Sequence, residues 1–414
     1  MVTQVRKVLV VCTMLLVGAG TAMSPTSAAE RNKKTQVSER VQSIARSNNQ
    51  FAFDLYGQLR SSSGNLFFSP TSISTALAMT YAGAEGETEQ EMAKTLNLDL
   101  PEAQVHPAFA SLIASLNAPE KEAYELRVAN RLWGQRGYGF LPKYLETTRE
   151  DYGAELAQVD FINKTEQVRR EINAWIEEQT NDKIKDLIPS GALDRLTRLV
   201  LTNAVYFKGK WEHEFDKKAT HDAPFTVSTG EKIDVPLMFQ KEKFRYGEIG
   251  ELQLLEMPYK GDDLSMLVLL PRKADGLAAI EKQLSVEKLD EWSSRMRRQE
   301  VRTYIPRFKL TEEFQLNSML SALGMPSAFA PGKADFSGMN GKKDLYITAA
   351  LHKAFVDVNE EGTEAAAATG IVVGALSIEP EPKVFRADHP FVFFIRHNPT
   401  GSILFMGRVT NPTG

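Results

Sequence analysis

Ser69, Ser72, Asn203 and His352 are the residue types from which a hydroxyl nucleophile, a general base and an orienting amide can be assembled. Their local sequences mark no nucleophile. No Gly-x-Ser-x-Gly elbow surrounds either serine, and the chain has no His-Glu-x-x-His zinc helix, no Gly-x-x-x-x-Gly-Lys phosphate loop and no dinucleotide fingerprint. His213 and His221, beside "EHEFDKK", fit no metal-ligand spacing and read as exposed polar residues after a strand. No metal, no cofactor and no enzymatic activity are expected. A hydrolase using Ser69 or Ser72 with His352 ranks far below the readings that follow. The densest basic run is "RMRRQEVR", Arg295 to Arg302. A polyanion site and a solvated helix end are both open to it, and so short a run favours the helix end.

The remaining stretch of unusual chemistry is "NEEGTEAAAATGIVVGALSIEPEP", residues 359–382. It is long, small and almost uncharged, and it lies between two strand-like segments. Four alanines in a row suit a helix, but Gly362, Gly370 and Gly374, with Val372 and Val373, argue against a stable one. In extended phase, Thr363, Ala365, Ala367, Thr369, Ile371 and Val373 share one face that can be buried. Glu364, Ala366, Ala368, Gly370 and Val372 take the other. Such a segment can wait in solvent without exposing large apolar groups.

The elements that must position these residues are read from periodicity. A 414-residue chain with 43% hydrophobic and 25% charged residues has ample material for a large folded core. Residues 1–29 stand apart: Arg6 and Lys7, then "VLVVCTMLLVGAG", then small residues suited to cleavage after Ala28 or Ala29. They read as a secretory signal peptide, so an extracellular or periplasmic protein is expected. The apolar run is too short to span a bilayer comfortably, and no membrane partner is expected. The only cysteine, Cys12, lies in that leader, so the mature chain has no disulfide, no cysteine nucleophile and no thiolate metal site. Removal of Arg6 and Lys7 takes the formal charge from −4 to −6, which does not suit a general nucleic-acid binder.

Helical spacing is predicted from Ser38 to Leu59, with "SNNQ" interrupting it, and over "SPTSISTALAMTYAGAEG". Thr88 and Glu91 form a capping-box pattern ahead of Met92. "EQVRREINAWIEEQTNDKIKDLIP" sets Val168, Ile172, Trp175 and Ile176 on one stripe. Strands are predicted for "RLVLTNAVYFKGKW", "LQLLEMPY", "LSMLVLLP", "EVRTYIPRFKL" and "KAFVDV". "HPFVFFIRH" and "SILFMGRV" flank a hairpin turn at Asn398-Pro399-Thr400-Gly401. Helices first and strands later give an α+β domain, with no repeat and no visible internal boundary over 30–414.

The chain resembles the serpins, colinearly from about Asn49 to Pro412, in "NLFFSPTSISTALAM", "LTNAVYFKGKWEHEF", "ADFSGM", "HKAFVDVNEEGTEAAAATG", "HPFVFFI" and "LFMGRVTNP". The resemblance implies a single serpin domain with three β-sheets, about nine helices and an exposed reactive-centre loop over about 360–384. It implies a loop hinge at Glu361, Gly362, Thr363, Glu364, Ala365, Ala366, Ala367, Ala368 and Thr369. It also implies a reactive bond at Leu376-Ser377, fourteen residues on from Gly362. A shift of register by one or two residues would place the bond at Ala375-Leu376 or near Val373, which favours elastases.

By the same resemblance, Ser69, Ser72, Asn203 and His352 form a polar cluster beneath the sheet opening. Trp211 stands at the top of the sheet, and Arg307 and Glu360 form a charged pair bracing that region. The implied function is suicide inhibition of a serine endopeptidase. Loop cleavage gives an acyl-enzyme, and the freed segment inserts into the central sheet before deacylation. Fourteen residues from Thr363 to Leu376 would span about 45 Å as strand, enough to carry a tethered protease across the molecule. A hinge "GTEAAAATG" without proline, with no charge after Glu364 and with only small side chains favours fast insertion, hence an inhibitor. Leu376 suits a chymotrypsin-like or elastase-like pocket, with subtilisin-like enzymes as further targets. A monomer is expected. The alternative is a non-inhibitory serpin acting as a carrier or chaperone, whose usual bulky, charged or proline-rich hinge is missing here.

Overall fold

The structure is a computed structural model that describes residues 25–117, 124–362 and 381–414, with side chains from residue 39 onward. The helices of the first half are α1 (Pro25–Leu59), α2 (Pro70–Tyr81), α3 (Gly86–Thr95), α4 (Glu102–Leu116), α5 (Pro142–Tyr152) and α6 (Phe161–Gln179). Four shorter ones follow: α7 (Leu277–Glu281), α8 (Val286–Ser294), α9 (Asn317–Leu323) and α10 (Ser337–Asn340). The strands are β1 (Leu66–Phe68), β2 (Tyr124–Gln135), β3 (Ala157–Val159), β4 (Leu199–Gly209), β5 (His221–Thr226), β6 (Lys232–Ile249) and β7 (Leu252–Pro258). They continue as β8 (Leu264–Pro271), β9 (Arg297–Pro306), β10 (Phe308–Gln315), β11 (Ile347–Val358), β12 (Lys383–Arg386), β13 (Phe391–His397) and β14 (Ser402–Val409).

Helix α1 buries Val41, Ile44, Phe51 and Leu55, as its spacing predicts. The polar "SNNQ" does not interrupt it, because those amides are hooks. Asn48 Nδ2 donates to the Ile403 carbonyl at 3.0 Å and Asn49 Nδ2 to the Gly401 carbonyl at 2.9 Å, tying the helix to the predicted β13–β14 hairpin. The leader boundary expected after Ala28 or Ala29 falls inside α1, and most of the leader lies outside the described residues.

Helix α2 is buried along its whole length, so its apolar content is continuous rather than striped. Ser69 caps it by accepting the Ser72 N–H at 3.2 Å, and Pro70 occupies the first turn, where no N–H is needed. The capping box expected at Thr88 and Glu91 is not formed. Helix α3 starts earlier, at Gly86; Thr88 Oγ1 instead accepts the Asp335 N–H at 3.0 Å, and the Glu91 carboxylate takes the Ser327 N–H at 2.9 Å. Both side chains serve tertiary contacts that local sequence does not reveal.

Two hydrogen-bonded sheets are present among the described residues. The first has five strands in the order β10-β11-β4-β2-β3. Its central pair, β11 and β4, is parallel, with His352 opposite Asn203, whereas β10·β11 and β2·β4 are antiparallel. The second contains nine strands, β1-β14-β13-β8-β7-β6-β9-β12 with β5 on β6. The three sheets expected from sequence appear as these two because the 18-residue β6 runs through both halves of the second, pairing β5 early and β7 late. Between the sheets lies an aromatic core in which Phe67 stacks on Phe393 and Phe405, and Phe207 packs on Phe405 at 5.4 Å. No described helix is long and apolar enough to cross a membrane.

Candidate functional site

The parallel pair β4·β11 carries Asn203 and His352 at the same level, and the start of α2 brings Ser69 and Ser72 beneath them. All four are buried. The Ser69 N–H donates to His352 Nε2 at 3.1 Å, which leaves the proton on Nδ1, where it meets Asn203 Oδ1. Asn203 Nδ2 donates to Ser72 Oγ at 2.6 Å and to Asn130 Oδ1. Ser72 Oγ also donates to Asn130 Oδ1, at 3.0 Å, and Asn130 Nδ2 returns a bond to the Ser72 carbonyl at 3.1 Å. The network therefore spans three adjacent strands and the helix below them.

Asn130, on β2, is the member the sequence reading missed. An asparagine amid the strand-like "YELRVANRLW" is the available signal.

This geometry holds strands; it does not activate a nucleophile. Burial pushes the His352 imidazole down to about 3, so it stays neutral, and both ring nitrogens are already committed. Ser69 Oγ donates to the Leu404 carbonyl at 2.7 Å instead of to a base. His213, in a bend after Trp211, and His221, at the start of β5, are both exposed, and no group of three or more metal-ligating side chains occurs among the described residues.

Above the polar network, the chain leaving β11 is strapped to the end of β4. Trp211 Nε1 donates to the Asn359 carbonyl at 2.9 Å, and the backbone N–H groups of Trp211 and Phe215 donate to the carbonyls of Glu361 and Glu360 at 3.3 and 2.8 Å. Trp211 stacks on Tyr259, with ring centroids 4.5 Å apart. The Glu360 carboxylate pairs with Arg307 and accepts the Thr220 hydroxyl at 2.7 Å. Burial alone would raise this carboxyl, but the bonds from Arg307 and Thr220 hold it below the usual glutamate range. Lys217 reaches Glu361 from the surface. Tyr259, Thr220 and Lys217 are further members that no sequence pattern indicated.

Gly362 ends the strap with φ +69°, and its N–H donates to the Asn359 carbonyl at 3.2 Å. A Cβ here would lie 2.3 Å from both the Gly209 carbonyl oxygen and the Trp211 nitrogen, so only glycine fits. Gly362→Ala is expected to displace the strap and cost about 1–3 kcal/mol. Thermal unfolding, together with a red shift in tryptophan emission as Trp211 loosens, checks this. An unchanged melting curve and spectrum would contradict the close fit.

The expected site residues thus fall into three groups. Ser69, Ser72, Asn203 and His352 meet in one network, and Trp211, Arg307, Glu360, Glu361 and Gly362 meet in the strap. Thr363, Glu364, Ala365, Ala366, Ala367, Ala368 and Thr369, with the bond Leu376-Ser377, lie outside the described residues.

A strapped and latched central sheet of this kind, in an α+β fold, marks a serpin-type domain. The family model for serpins, serine protease inhibitors, matches residues 46–412, and the chain belongs to that family. It is 47% identical over 382 residues to leukocyte elastase inhibitor A of Mus musculus, covering 90% of this chain and all of that protein. It is 46% identical over 382 residues to leukocyte elastase inhibitor of Homo sapiens, with the same coverage. Among solved structures, uncleaved ovalbumin superposes with a TM-score of 0.81 at 34% identity, covering 89% of this chain and all of that one.

Proposed function

We propose that this serpin is a suicide inhibitor of elastase-like or chymotrypsin-like serine endopeptidases, and not an enzyme. The observation that carries the reading is the parallel pairing of β4 with β11 at the centre of the five-stranded sheet. A strand inserted between two parallel neighbours and running against both replaces one parallel ladder by two antiparallel ones, the more stable pairing per residue. The strap that follows β11 ends at Gly362 against residues 209–211 at the end of β4, which supports a reading in which the segment beyond it enters between the two strands. The names of the leukocyte elastase inhibitors, at 46–47% identity over the whole length of those proteins, support an elastase-like target.

In the proposed reaction the protease serine attacks the Leu376 carbonyl, the Leu376-Ser377 bond breaks, and Ser377 leaves as a new amino terminus. The acylated segment ending at Leu376 then inserts from Thr363 onward and carries the protease with it. Trapping wins when insertion outruns hydrolysis of the ester. The remaining parts of the reading are a leader over 1–29 that directs secretion, one serpin domain over 30–414, and action as a monomer.

Progress curves with a pancreatic-type elastase and with chymotrypsin test the reading: activity should fall with time and not return on dilution. Leu376→Arg is expected to slow elastase inhibition at least about a hundredfold, because an apolar specificity pocket offers a guanidinium no partner, and to create inhibition of trypsin. An unchanged protease panel would place the reactive bond elsewhere.

A further inference from the structure

The first strand after the proposed reactive bond, β12, is weakly built. It is four residues long, lies at the edge of the nine-stranded sheet, pairs as a strand only with β9 among the described residues, and leaves Lys383 and Val384 exposed. The short segment leading from it into β13 supplies the remaining hold. The Ala387 N–H donates to the Tyr304 carbonyl at 2.9 Å, and the Asp388 carbonyl accepts the Thr226 N–H at 2.8 Å. The His389 ring is held at both nitrogens: Nδ1 meets Asp388 Oδ1 at 2.8 Å, and Nε2 meets the Pro271 carbonyl, at the end of β8, at 2.6 Å. Arg386 Nε donates to the other carboxylate oxygen of Asp388 at 3.0 Å.

A backbone carbonyl can only accept a hydrogen bond, and so can an ionised carboxylate. This histidine therefore satisfies both neighbours only as the doubly protonated imidazolium. None of the other five of the six histidines is set this way. His352 receives the Ser69 N–H on Nε2, His106 and His397 meet the hydroxyls of Tyr152 and Thr400, which can donate or accept, and His213 and His221 are exposed. His389 is only 9% exposed, so water does not readily replace a lost partner. Burial alone would lower its pKa, but the bonds to Asp388 and to the Pro271 carbonyl hold it above the ordinary histidine value. Burial alone would raise the Asp388 carboxyl, and the bonds from His389 and Arg386 hold it below the usual aspartate range. Asp388 is the one charged group acting on the imidazole among the described residues. Arg386 is spent on Asp388, Arg272 beside Pro271 pairs with Glu248, and Lys232, opposite Thr226 on β6, is exposed.

We propose that Asp388 and the protonated His389 form a proton-operated clasp that fastens the segment behind β12 to the end of β8, closed in mildly acidic surroundings and released in alkaline ones. When the proton leaves, either the carboxylate or the carbonyl faces a bare ring nitrogen in a buried place, and both cannot be satisfied. Because the folded pKa of His389 stands above its unfolded value, its contribution is complete below about 6.5 and is lost as the pH rises through the folded value. Asp388 sets the opposite limit, its contribution being lost only as the pH falls below about 3.9 through its lowered pKa. The consequence for trapping rests on the proposed function: β12 anchors the far end of the reactive loop, so the clasp sets how firmly that end is held while a protease attacks.

The experiment needs no protease, so its outcome is independent of the inhibitory reading. Imidazole signals of the full chain are titrated by NMR in wild type, His389→Gln and Asp388→Asn, the two variants together assigning His389. Its titration in wild type should lie above about 6.5, and in Asp388→Asn lower than in wild type by about one unit or more. Amide hydrogen exchange over residues 384–387 is then compared at about pH 5.5 and about pH 8.5, each rate divided by that of an unstructured chain at the same pH. Protection in wild type should fall about tenfold or more at the higher pH, while amides of β13 keep theirs. Both variants should lose this dependence, with His389→Gln weakly protected throughout. If His389→Gln fails to fold, wild type and Asp388→Asn suffice. A His389 that titrates at or below about 6.5, equal protection of residues 384–387 at both pH values in wild type, or an undiminished fall in Asp388→Asn would each overturn the proposal.

Discussion

Thr363→Arg is expected to turn the protein from a trap into a substrate. With wild type, the proposed mechanism, in which insertion outruns deacylation, consumes about one inhibitor molecule per protease. Thr363 is the first residue beyond Gly362, and in extended phase it shares the burial face with Ala365, Ala367 and Thr369. To enter the seam between β4 and β11, the variant must bury an arginine that has no designated acceptor. The network directly below offers none, since Asn203, His352, Ser72 and Asn130 are already bonded to one another. An unpaired buried charge costs several kcal/mol, which slows insertion by about two to three powers of ten. The protease should then cleave the loop and leave, so stoichiometry rises to tens of inhibitors per enzyme and cleaved product replaces complex. Titration of active protease gives the number directly. Unchanged stoichiometry would mean that insertion does not begin at Thr363.

His352→Ala should have the largest effect on the lifetime of the uncleaved form. The substitution leaves the Ser69 N–H and Asn203 Oδ1 without partners inside the sheet and opens a cavity, for a combined cost of about 2–4 kcal/mol. Because the imidazole joins the α2 cap to β4 and β11, the loss falls on the contact that keeps the seam closed. Incubation at 37 °C should inactivate the variant roughly tenfold or more faster than wild type, with monomeric protein that no longer traps protease. Asn203→Ala should act through the same network, so the double variant should lose much less than the sum of the two single effects. Additive losses, or a wild-type half-life for His352→Ala, would contradict the latch.

Which parts of this arrangement could be seen in the chain follows from the range of the interactions involved. Strands such as "RLVLTNAVYF" and "LSMLVLLP" were legible because a strand buried on both faces is apolar throughout. Strand β6, "KIDVPLMFQKEKFRYGEI", is not legible, because it serves three partners, β5, β9 and β7, along its length and alternates basic residues with its buried ones. Strand β2 escaped for a related reason: Arg127, Asn130 and Arg131 interrupt its apolar pattern, and one of them is the amide that completes the network. Asn48 and Asn49 looked like a helix break and are tertiary hooks, while Thr88 and Glu91 looked like a cap and are tertiary acceptors. The four network residues and the Arg307–Glu360 pair were found through family resemblance, because each partner lies from about fifty to several hundred residues away along the chain. Gly362 is expected from the resemblance as part of the hinge, but that only glycine fits there is not visible in the chain, because the obstacle is the backbone of residues 209–211.

The most direct test of the central claim is to mix the purified protein with chymotrypsin and with a pancreatic-type elastase, resolve the products on denaturing gels, and sequence any new amino terminus. The account predicts a denaturant-resistant band at the summed mass of protease and cleaved inhibitor, with a released peptide beginning at Ser377. Clean cleavage with no covalent complex, repeated across other serine proteases, would contradict it and leave a serpin whose loop is cut without trapping anything.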